Sequence, residues 1–427
     1  DLRGRQVVIH SPEGRTLEKL REHGWTKAIH ESGSLLVELS YNDFGHISGW
    51  RTPSGIDTFY EYHTPGVTEF IGTMVASNWV FERTYDWKDN VLMDGVSDGA
   101  AWASFDYDNF KRLESVSGAW TENFAWDAVG NPTSITEHSG RTWTYDPPSL
   151  GNQVPGRVDG PIAESFTYDA AGRMASMNRG TDTLEYEYDG LGRLRIVRKN
   201  GNITLSINRD ADGEVCLRGA YDPRVGAVLH DYSFGGWSFE EAGSRVKEEV
   251  GTDLAAIGRY QDGAYRWYLK ELGGHVAGAV DDSGALLQSR DLSAFGMVRG
   301  AWGDLEHHGL HGMYFETSHP VHAVGPRHVR RRDGMFLQPE PLLLNGLHAE
   351  AIADPLRVST YRYARNNPTS ASDPTGHFVD FFIDMAFIGI DSHIYMNDRT
   401  DLNLMALQAD IVTAAIPFIA GGGPMVR

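Results

Sequence analysis

Apolar and polar residues alternate with a period of two along much of this chain, and turn residues interrupt the alternation at short intervals. Leu184-Glu-Tyr186-Glu-Tyr188 is one such run, and Leu194-Arg-Ile196-Val-Arg is another. A period of two puts alternate side chains on one face of a strand, and Gly or Asp between two such runs favours a tight turn. The pattern therefore predicts a succession of β-hairpins.

The turn residues follow a repeated template of an aromatic residue, Asp, two residues, Gly, Arg and an apolar residue. Residues 168–174 (YDAAGRM) and 188–194 (YDGLGRL) match it fully and lie 20 residues apart. Asp can accept hydrogen bonds from the backbone just after it, and Gly readily adopts positive φ, so each copy is predicted to be a hairpin turn. Between Tyr41 and Arg209 nine copies define eight intervals that average 21 residues. The weaker copies begin at Tyr41, Tyr62, Tyr85, Tyr107, Trp126, Tyr145 and Arg209.

A unit of this length cannot bury its apolar face alone, so successive hairpins are expected to stack into a long spiral sheet. The predicted fold class is therefore all-β. An ordinary β-sandwich or barrel, with strands every ~8 to 12 residues, is the alternative. The recurrence of Asp and Gly in one register favours the spiral. The composition agrees, because 48 Gly and 11% aromatic residues supply the turn and strand positions.

Charge and cysteine content narrow the function classes. The chain has 38 Lys and Arg against 58 Asp and Glu, a net charge of -20, which disfavours nucleic-acid binding. Cys216 is the single cysteine, so an internal disulfide and a cysteine-rich zinc module are both excluded. The sequence contains no apolar stretch of 18 residues or more, so it predicts no transmembrane helix. It opens at Asp1, which suggests a fragment or a processed piece of a longer protein.

At YDAAGRM and YDGLGRL the sequence resembles the YD-repeat, or RHS, family of bacterial proteins. Later segments resemble the core-associated domain of that family, although Glu271 replaces the histidine that usually precedes its Leu-Gly pair. His328 and Val329 replace two tyrosines that the family has after Arg327. The similar segments are residues 266–284, 311–337, 361–368 (YRYARNNP) and 373–376 (DPTG).

The resemblance implies a hollow β-shell that encloses a toxic carboxy-terminal domain. It also implies a core-associated domain that closes the shell and cleaves its own chain as an aspartyl protease just after the DPxG segment. The expected domains are an amino-terminal lead-in at 1–39, the repeat shell at 40–262, the core-associated domain at 263–377 and a helical linker at 378–427. A shell of nine hairpins is short, so it is expected to associate with other chains or to lack amino-terminal repeats.

Carried over residue by residue, the resemblance assigns Asp373 to the second catalytic aspartate. Glu340 occupies the place of the first, and Asp354, followed by Pro355, is a second candidate for it. The expected scissile bond joins His377 and Phe378. Such chemistry needs two carboxylates that share one proton, so that one activates water and the other protonates the leaving amide.

Each of these residues also has a simpler interpretation. Asp373 begins Asp-Pro-Thr-Gly, which is a good turn sequence without any catalytic role. Glu340 lies between Pro339 and Pro341 and can be a solvated acid. Arg327 belongs to a basic run and is expected to pair with carboxylates or to assist the protease by lowering the pKa of one acid, whereas phosphate binding is the alternative.

Residues 378–427 differ in kind from the repeats. Asp380 and Asp384 are four residues apart with aromatic residues between them, a spacing that predicts one polar helix face. Leu402 to Ile416 is also helix-like, and Gly421-Gly-Gly-Pro424 follows it. This segment resembles the helical linker that precedes a toxin in the family, and a membrane-active helical hairpin is the alternative. No toxin domain follows within the sequence.

A cluster of histidines suggests a metal site, but without nearby cysteine a strand-and-turn role is favoured, and no metal or cofactor is predicted. No GxSxG nucleophile elbow occurs. The histidines are His307, His308, His311, His319 and His322, and the arginines of the basic run are Arg327, Arg330, Arg331 and Arg332.

The sequence thus favours an exported bacterial shell that encapsulates a toxin and cleaves itself. The partners implied by the resemblance are the chain's own toxin domain, a secretion spike or a Tc-type component, and an immunity protein. Two alternatives stay open: an encapsulating scaffold that does not cleave, since Glu340 replaces an aspartate, and a cell-surface adhesion module.

Overall fold

The computed structural model describes residues 7–381 except for short segments, and the statements below concern the described residues. The omitted segments are 11–14, 23–24, 44–45, 65–66, 89–91, 150–151, 212, 214, 223–226, 235–236, 241–244, 252–255, 304–307, 317–318, 341–360, 374–375 and 377–379.

These residues form 34 strands and three short 3-10 turns, with no α-helix among them. The strands are β1 (Val7–His10), β2 (Thr16–Glu22), β3 (Trp25–Glu31), β4 (Ser34–Tyr41), β5 (Ile47–Arg51), β6 (Ile56–Thr64), β7 (Val67–Val75), β8 (Asn78–Lys88), β9 (Leu92–Ser97), β10 (Trp102–Tyr107), β11 (Leu113–Gly118), β12 (Glu122–Trp126), β13 (Pro132–Thr136), β14 (Thr142–Tyr145), β15 (Gly156–Asp159), β16 (Ile162–Tyr168), β17 (Met174–Arg179), β18 (Asp182–Tyr188), β19 (Leu194–Lys199), β20 (Asn202–Arg209), β21 (Val215–Asp222), β22 (Ala227–Phe234), β23 (Trp237–Glu240), β24 (Arg245–Gly251), β25 (Ala256–Gln261), β26 (Ala264–Lys270), β27 (Val276–Val280), β28 (Leu286–Leu292), β29 (Val298–Gly303), β30 (Tyr314–Phe315), β31 (Val321–Val324), β32 (Arg327–Arg330), β33 (Ala371–Ser372) and β34 (Asp380–Phe381). The 3-10 turns are Leu272–Gly274, Leu310–Gly312 and Ala364–Asn366.

The chain divides into two compact units. The first comprises residues 1–102, 248–289 and 380–427, and the second comprises residues 103–247 and 290–379. Within each unit consecutive strands pair antiparallel, as β6 pairs with β7 in the first unit and β18 with β19 in the second. The all-β prediction and the succession of hairpins are therefore confirmed.

Each full copy of the template builds the same turn. Asp169 Oδ1 accepts hydrogen bonds from the backbone N–H groups of Ala171 and Arg173, both at 2.9 Å, and Asp169 Oδ2 accepts from Arg173 Nε at 2.7 Å. Gly172 has a φ of 81°, which a side chain would strain. The template Asp, Gly and Arg therefore have separate tasks: the Asp organises the backbone, the Gly permits the turn, and the Arg covers the carboxylate.

In six copies of the template the aromatic residue joins its repeat to the one before it. Tyr188 Oη donates to Met174 O at 2.7 Å, and Tyr168 Oη donates to Val154 O at 2.9 Å. Trp126 Nε1 makes the corresponding bond at 2.8 Å to Leu113 O. The position therefore selects an aromatic side chain with a polar tip, because its ring packs while its N–H or O–H satisfies a carbonyl of the preceding repeat. The corresponding donors and acceptors elsewhere are Tyr41 and Thr26, Tyr62 and Ile47, and Trp87 and Thr68.

Two weaker copies differ from the sequence prediction. The copy placed at Tyr85 begins two residues later, because Trp87 pairs with Met93 and donates to the preceding hairpin, whereas Tyr85 is buried and accepts from Leu272 N at 3.0 Å. Tyr145 does not open a tight turn, since it pairs with Arg157 across a longer loop. Asp146 cannot form the template turn there because the residue two positions on, Pro148, has no N–H.

Hairpins also continue beyond residue 230, where the sequence template fades. Glu271 N donates to His275 O at 2.9 Å and Gly274 N to Glu271 O at 3.1 Å, which is the backbone pattern of the template turns. Lys270 takes the place of the aromatic residue and donates from Nζ to Ala256 O at 2.7 Å. The residue types have changed while the turn has been kept.

Each unit has its own hydrophobic core, formed by the inward residues of successive strands. In the first unit Leu17, Val37, Trp50, Ile56 and Trp267 belong to one buried cluster. The core of the second unit includes buried residues from β16 to β20 and from the later segment, namely Phe166, Met174, Leu184, Tyr186, Leu194, Val197, Leu205, Ile207, Val321 and Leu337.

The predicted helical linker, residues 378–427, lies outside the described residues except for two. Asp380 and Phe381 form the short strand β34 instead of part of the predicted helix, which agrees with the β-propensity of this Phe-rich stretch. Within the described ranges, no helix has the length and apolar character needed to span a membrane.

Candidate functional site

Arg327 is the centre of the candidate site. It opens β32, which pairs with β31 across a turn where Val324 faces Arg327 and Gly325 has a φ of 52°. The Arg327 side chain is only 4% exposed, and its guanidinium carbon lies 3.5 Å from the centroid of the Phe336 ring. A cation enclosed in this way needs buried anionic partners.

Two of the three carboxylates that the sequence singled out, Glu340 and Asp373, contact Arg327. Arg327 Nη2 lies 2.8 Å from Glu340 Oε2 and 2.9 Å from Asp373 Oδ2. Asp373 is 1% exposed and Glu340 is 12% exposed, so neither is a solvated surface acid. One nitrogen therefore brings together two carboxylates that are 33 residues apart in sequence.

The same guanidinium holds the turn that precedes the predicted scissile bond. Arg327 Nε donates to Gly376 O at 2.5 Å, and Gly376 N donates to Asp373 O at 3.4 Å. Asp373 is thus a turn residue, as its sequence suggested, and also a buried ion-pair partner. Gly376 has a φ of 73°, and a Cβ there would lie 2.5 Å from Val324 O, so only glycine fits.

Among the described residues, Arg327 is a cation that contacts two acids at this site. Burial lowers the pKa of Arg327 below its ordinary value, and the charges of Asp373 and Glu340 oppose that shift. Cleavage by an aspartyl mechanism requires one proton on the pair.

One residue beside Asp373, Tyr363, was not singled out as a site residue from the sequence. Tyr363 is 1% exposed and its Oη lies 2.5 Å from His311 Nδ1. Burial, followed by the charge of Asp373, raises the pKa of Tyr363 well above its ordinary value, while a bond from the Asp373 backbone opposes that shift. Tyr363 therefore stays a neutral hydroxyl. Its place in the YRYARNNP motif was the available signal, but sequence spacing does not reveal the contact with His311.

Three residues of the predicted site lie outside the described residues. They are Asp354, His377 and Phe378. Arg327, Glu340 and Asp373 are the predicted site residues that the structure brings together.

The motif that leads to Asp373 lies along the turns of three repeats in the same unit. Asn367 Nδ2 donates to Lys111 O at 2.9 Å, and Asn366 Nδ2 donates to Gly130 O at 2.8 Å. Tyr361 Oη donates to Gly172 O at 2.6 Å. Lys111, Gly130 and Gly172 occupy the same position of their turns, the one with positive φ, at 62°, 89° and 81°.

The rest of the basic run contacts carboxylates or carbonyl groups. Arg330 binds Asp333, Arg332 binds Glu137, and Arg331 Nη2 donates to His319 O at 2.5 Å. The expectation that these arginines pair with acids is thus met by Arg327, Arg330 and Arg332.

The histidines, in contrast, have separate environments. His307 lies outside the described residues, and within the described part of the chain no group of three or more His, Cys, Asp or Glu residues is placed to hold a metal. His319 Nε2 lies 2.9 Å from Thr204 Oγ1, and burial lowers its pKa to about 4. The others contact different groups: the carbonyl of His308 accepts from Arg290, His311 contacts Tyr363, and His322 packs against Phe315.

Comparison with solved structures shows that this fold is similar to that of Tc toxin proteins. A mutant Tc holotoxin pore of Photorhabdus luminescens matches 87% of this chain and 20% of its own, with a TM-score of 0.69 at 14% identity. A TcdB2-TccC3 structure matches 87% of this chain and 21% of its own, with a TM-score of 0.60 at 14% identity. A TcdB2-TccC3 structure without its hypervariable C-terminal region gives a TM-score of 0.56 over the same 87%, at 14% identity and 20% of its own chain.

One curated relative also matches in sequence. It is the tRNA3(Ser)-specific nuclease WapA of Bacillus spizizenii, which is 22% identical over 336 residues, 74% of this chain and 12% of that protein. No protein-family model matches the sequence. The resemblance to the RHS and YD-repeat proteins is confirmed at the level of the fold. The chain spans about a fifth of the solved structures and about an eighth of the curated relative.

Proposed function

We propose that this chain is part of an exported shell that encloses a toxic carboxy-terminal segment and cleaves itself just after the DPTG turn. The fold it shares with TcdB2-TccC3 and its sequence likeness to a tRNA-specific nuclease support the enclosing role. In TccC3 the C-terminal region is the hypervariable part, which fits a shell that carries different cargoes. Residues that follow 377 take that place here.

The observation that carries the self-cleavage proposal is the contact of Arg327 with Glu340, Asp373 and Gly376. A buried acid, Asp373, and a mostly buried one, Glu340, lie beside a turn that ends at Gly376, one residue before the His377–Phe378 bond. In the proposed reaction the ionised acid of the pair takes a proton from water as the water oxygen attacks the His377 carbonyl carbon. The protonated acid then gives its proton to the Phe378 nitrogen as that bond breaks.

Arg327 links the two acids to the backbone that precedes the scissile bond. Its hold on Gly376 O fixes the backbone before the scissile bond, which limits the geometries that the attacked carbonyl can sample. Its shared Nη2 keeps the two carboxylates together despite their like charge. A Tc-type component or a secretion spike as delivery partner, and an immunity protein, are part of the same proposal.

A scaffold that encloses its cargo without cleaving it is the second candidate. The specific observation in its favour is that Arg327 Nη2 contacts both acids, because a buried cation needs anionic partners and this contact can serve that structural role without any cleavage. Glu340 in place of an aspartate adds one methylene to the geometry. The two candidates predict different covalent states of the purified protein.

The experiment is a time course of intact mass for the purified chain and three variants. The wild-type chain is expected to be cut into the fragments 1–377 and 378–427. Asp373→Asn and Glu340→Gln are expected to slow the cleavage at least about 100-fold. Glu187→Gln is the matched control, since Glu187 is 47% exposed and pairs with Arg198 on the surface.

The outcome separates the candidates. An intact wild-type chain under all conditions supports the non-cleaving scaffold. Cleavage that continues unchanged in Asp373→Asn contradicts the assignment of this site, and cleavage lost in Glu187→Gln as well points to a general folding defect.

A further inference from the structure

The segment 361–367, here named the docking segment, satisfies backbone carbonyls of three different hairpin turns. Its donors are Asn367, Asn366 and Tyr361, and the acceptors are the carbonyls of Lys111, Gly130 and Gly172. The donors are 1% to 2% exposed. Buried polar atoms that find partners in this way make specific contacts, since a loss of register leaves both sides unsatisfied.

The carbonyl that the docking segment binds is the one that the turn leaves available. In the 168–174 turn Asp169 N donates to Arg173 O, and Gly172 N donates to Asp169 O. The Gly172 carbonyl takes no part in those two bonds and accepts from Tyr361. The position exists only when the turn has formed, because an unfolded repeat does not hold its carbonyl in place.

Asn367 connects this row of turns to the predicted catalytic aspartate. Its Oδ1 accepts from Ser370 N at 3.2 Å, and its backbone carbonyl accepts from Ala371 N at 3.1 Å. The chain then enters β33 and reaches Asp373 one residue after that strand ends. Tyr107, in the repeat that supplies Lys111, lies 2.8 Å from Thr369 through its Oη.

The docking segment also sets Tyr363 and the strand beside it. Tyr363 N donates to Gly334 O at 2.9 Å, and Phe336 N donates to Tyr361 O at 2.9 Å. Phe336 is the ring on which Arg327 lies. The docking segment therefore contacts the folded repeats and also contacts Phe336, which packs against Arg327. The chain that follows the docking segment leads to Asp373.

We propose that Tyr361, Asn366 and Asn367 are positioning residues that make self-cleavage conditional on folded repeats. The inference rests on the proposed function and adds a control step to it. The acids reach their places when the turns at Lys111, Gly130 and Gly172 accept the docking segment, so the chain is cut after this part of the repeat sheet has formed. Cleavage before folding would release the cargo segment from an unfinished enclosure.

Two glycines in identical turns provide a matched test in the full chain. Gly172 and Gly192 both stand in Asp-x-x-Gly-Arg, with φ of 81° and 82°. A Cβ on Gly172 would lie 2.8 Å from Tyr361 Oη, whereas a Cβ on Gly192 would meet nothing closer than Arg173 at 3.7 Å. Gly172→Ala and Gly192→Ala therefore impose the same backbone strain, and only the first also disturbs the docking segment.

Intact mass measurements in buffer give the first-order cleavage rates. Circular dichroism in the same buffer checks that both variants are folded. Gly172→Ala is expected to cleave at least about 10-fold more slowly than wild type, since small displacements of reacting groups cost large factors in rate. Gly192→Ala is expected to remain within about twofold, because its reacting groups keep their places. Asn367→Ala is expected to follow Gly172→Ala, and Asn200→Ala, in an exposed turn that does not contact the segment, is its control.

Hydrogen exchange supplies the readout that a general loss of stability would not produce. Residues 361–373 are expected to exchange faster in Gly172→Ala than in Gly192→Ala, with equal exchange elsewhere in the repeats. Equal cleavage rates and equal exchange in the two glycine variants would overturn the inference while leaving self-cleavage in place. A wild-type chain that never cleaves would contradict the proposed function as well, so the two failures are distinct.

Discussion

The buried ion cluster around Asp333 gives a direct test of what holds the later segment against the repeats of its unit. Asp333 is fully buried and accepts from Arg330 Nε at 3.0 Å and Arg330 Nη2 at 2.7 Å. It also accepts from Arg157 Nη1 at 2.8 Å and from Tyr145 Oη at 3.1 Å. Arg157 has a second acid, Glu164, at 2.6 Å. The substitution Asp333→Asn keeps the shape of the side chain and removes its negative charge.

The expected cost follows from the partners that lose their anion. Removing one member of a buried ion pair costs about 3–5 kcal/mol, because the other charge stays buried without compensation. Arg157 keeps Glu164, so the main loss falls on Arg330, and we expect about 3 kcal/mol. Burial acts to raise the pKa of Asp333, but Arg330 and Arg157 outweigh it and hold that pKa below its ordinary value. This stabilisation is therefore present above the ordinary Asp pKa and is lost as the pH falls through the depressed value.

Urea unfolding followed by circular dichroism measures the change, and Asp189→Asn is the matched control. Asp189 is 25% exposed and pairs with Arg193, and Asn retains the oxygen that organises that turn. The control is expected to cost about 1 kcal/mol or less, as partly exposed pairs do. A loss for Asp333→Asn that equals the loss for Asp189→Asn would refute the argument that burial, and not the number of bonds, decides the cost.

Two further predictions concern the repeats. Tyr188→Phe removes the hydrogen bond from Tyr188 Oη to Met174 O and is expected to lower the free energy of unfolding by about 1 kcal/mol. The control is Tyr221→Phe, which is expected to change the free energy of unfolding little because Tyr221 is 38% exposed. Thermal unfolding of both variants measures the difference. Burial raises the pKa of Glu122 to about 7, so wild type is expected to lose about 3 kcal/mol relative to Glu122→Gln as the pH rises from below the ordinary Glu pKa to above 7. Urea titrations across that range measure it, and a constant difference between the two proteins would show that the pKa of Glu122 is the same in the folded and unfolded chain, which would contradict the prediction.

Much of the fold was predictable because its signal is local. The Asp and Gly of YDAAGRM bond within seven residues, so their spacing in sequence is their spacing in the turn. The role of the aromatic residue was not predictable in the same way, since Tyr188 Oη reaches back to Met174 O in the preceding repeat. Trp87, and not Tyr85, opens its copy because Trp87 Nε1 makes the corresponding bond to Thr68 O in the preceding hairpin.

The candidate site was predictable only as far as the family motifs extend. Arg327, Glu340 and Asp373 were named from sequence, and their meeting at one nitrogen follows from the fold. The contacts of Asn366 and Asn367 join residues more than 200 positions apart, from amide side chains to backbone carbonyls. A backbone carbonyl group cannot be recognised from the sequence as a hydrogen-bond partner, because every residue type has one.

We propose that the chain cuts itself after His377 and that the fragment 378–427 stays bound to the rest of the chain. Size-exclusion chromatography of the native wild-type protein, followed by mass measurement of the peak, tests both parts together. One peak that contains both fragments, 1–377 and 378–427, is expected for wild type, and a peak of intact chain alone is expected for Asp373→Asn. A wild-type peak that contains only uncut chain, or a fragment 378–427 that elutes separately without denaturant, would contradict it.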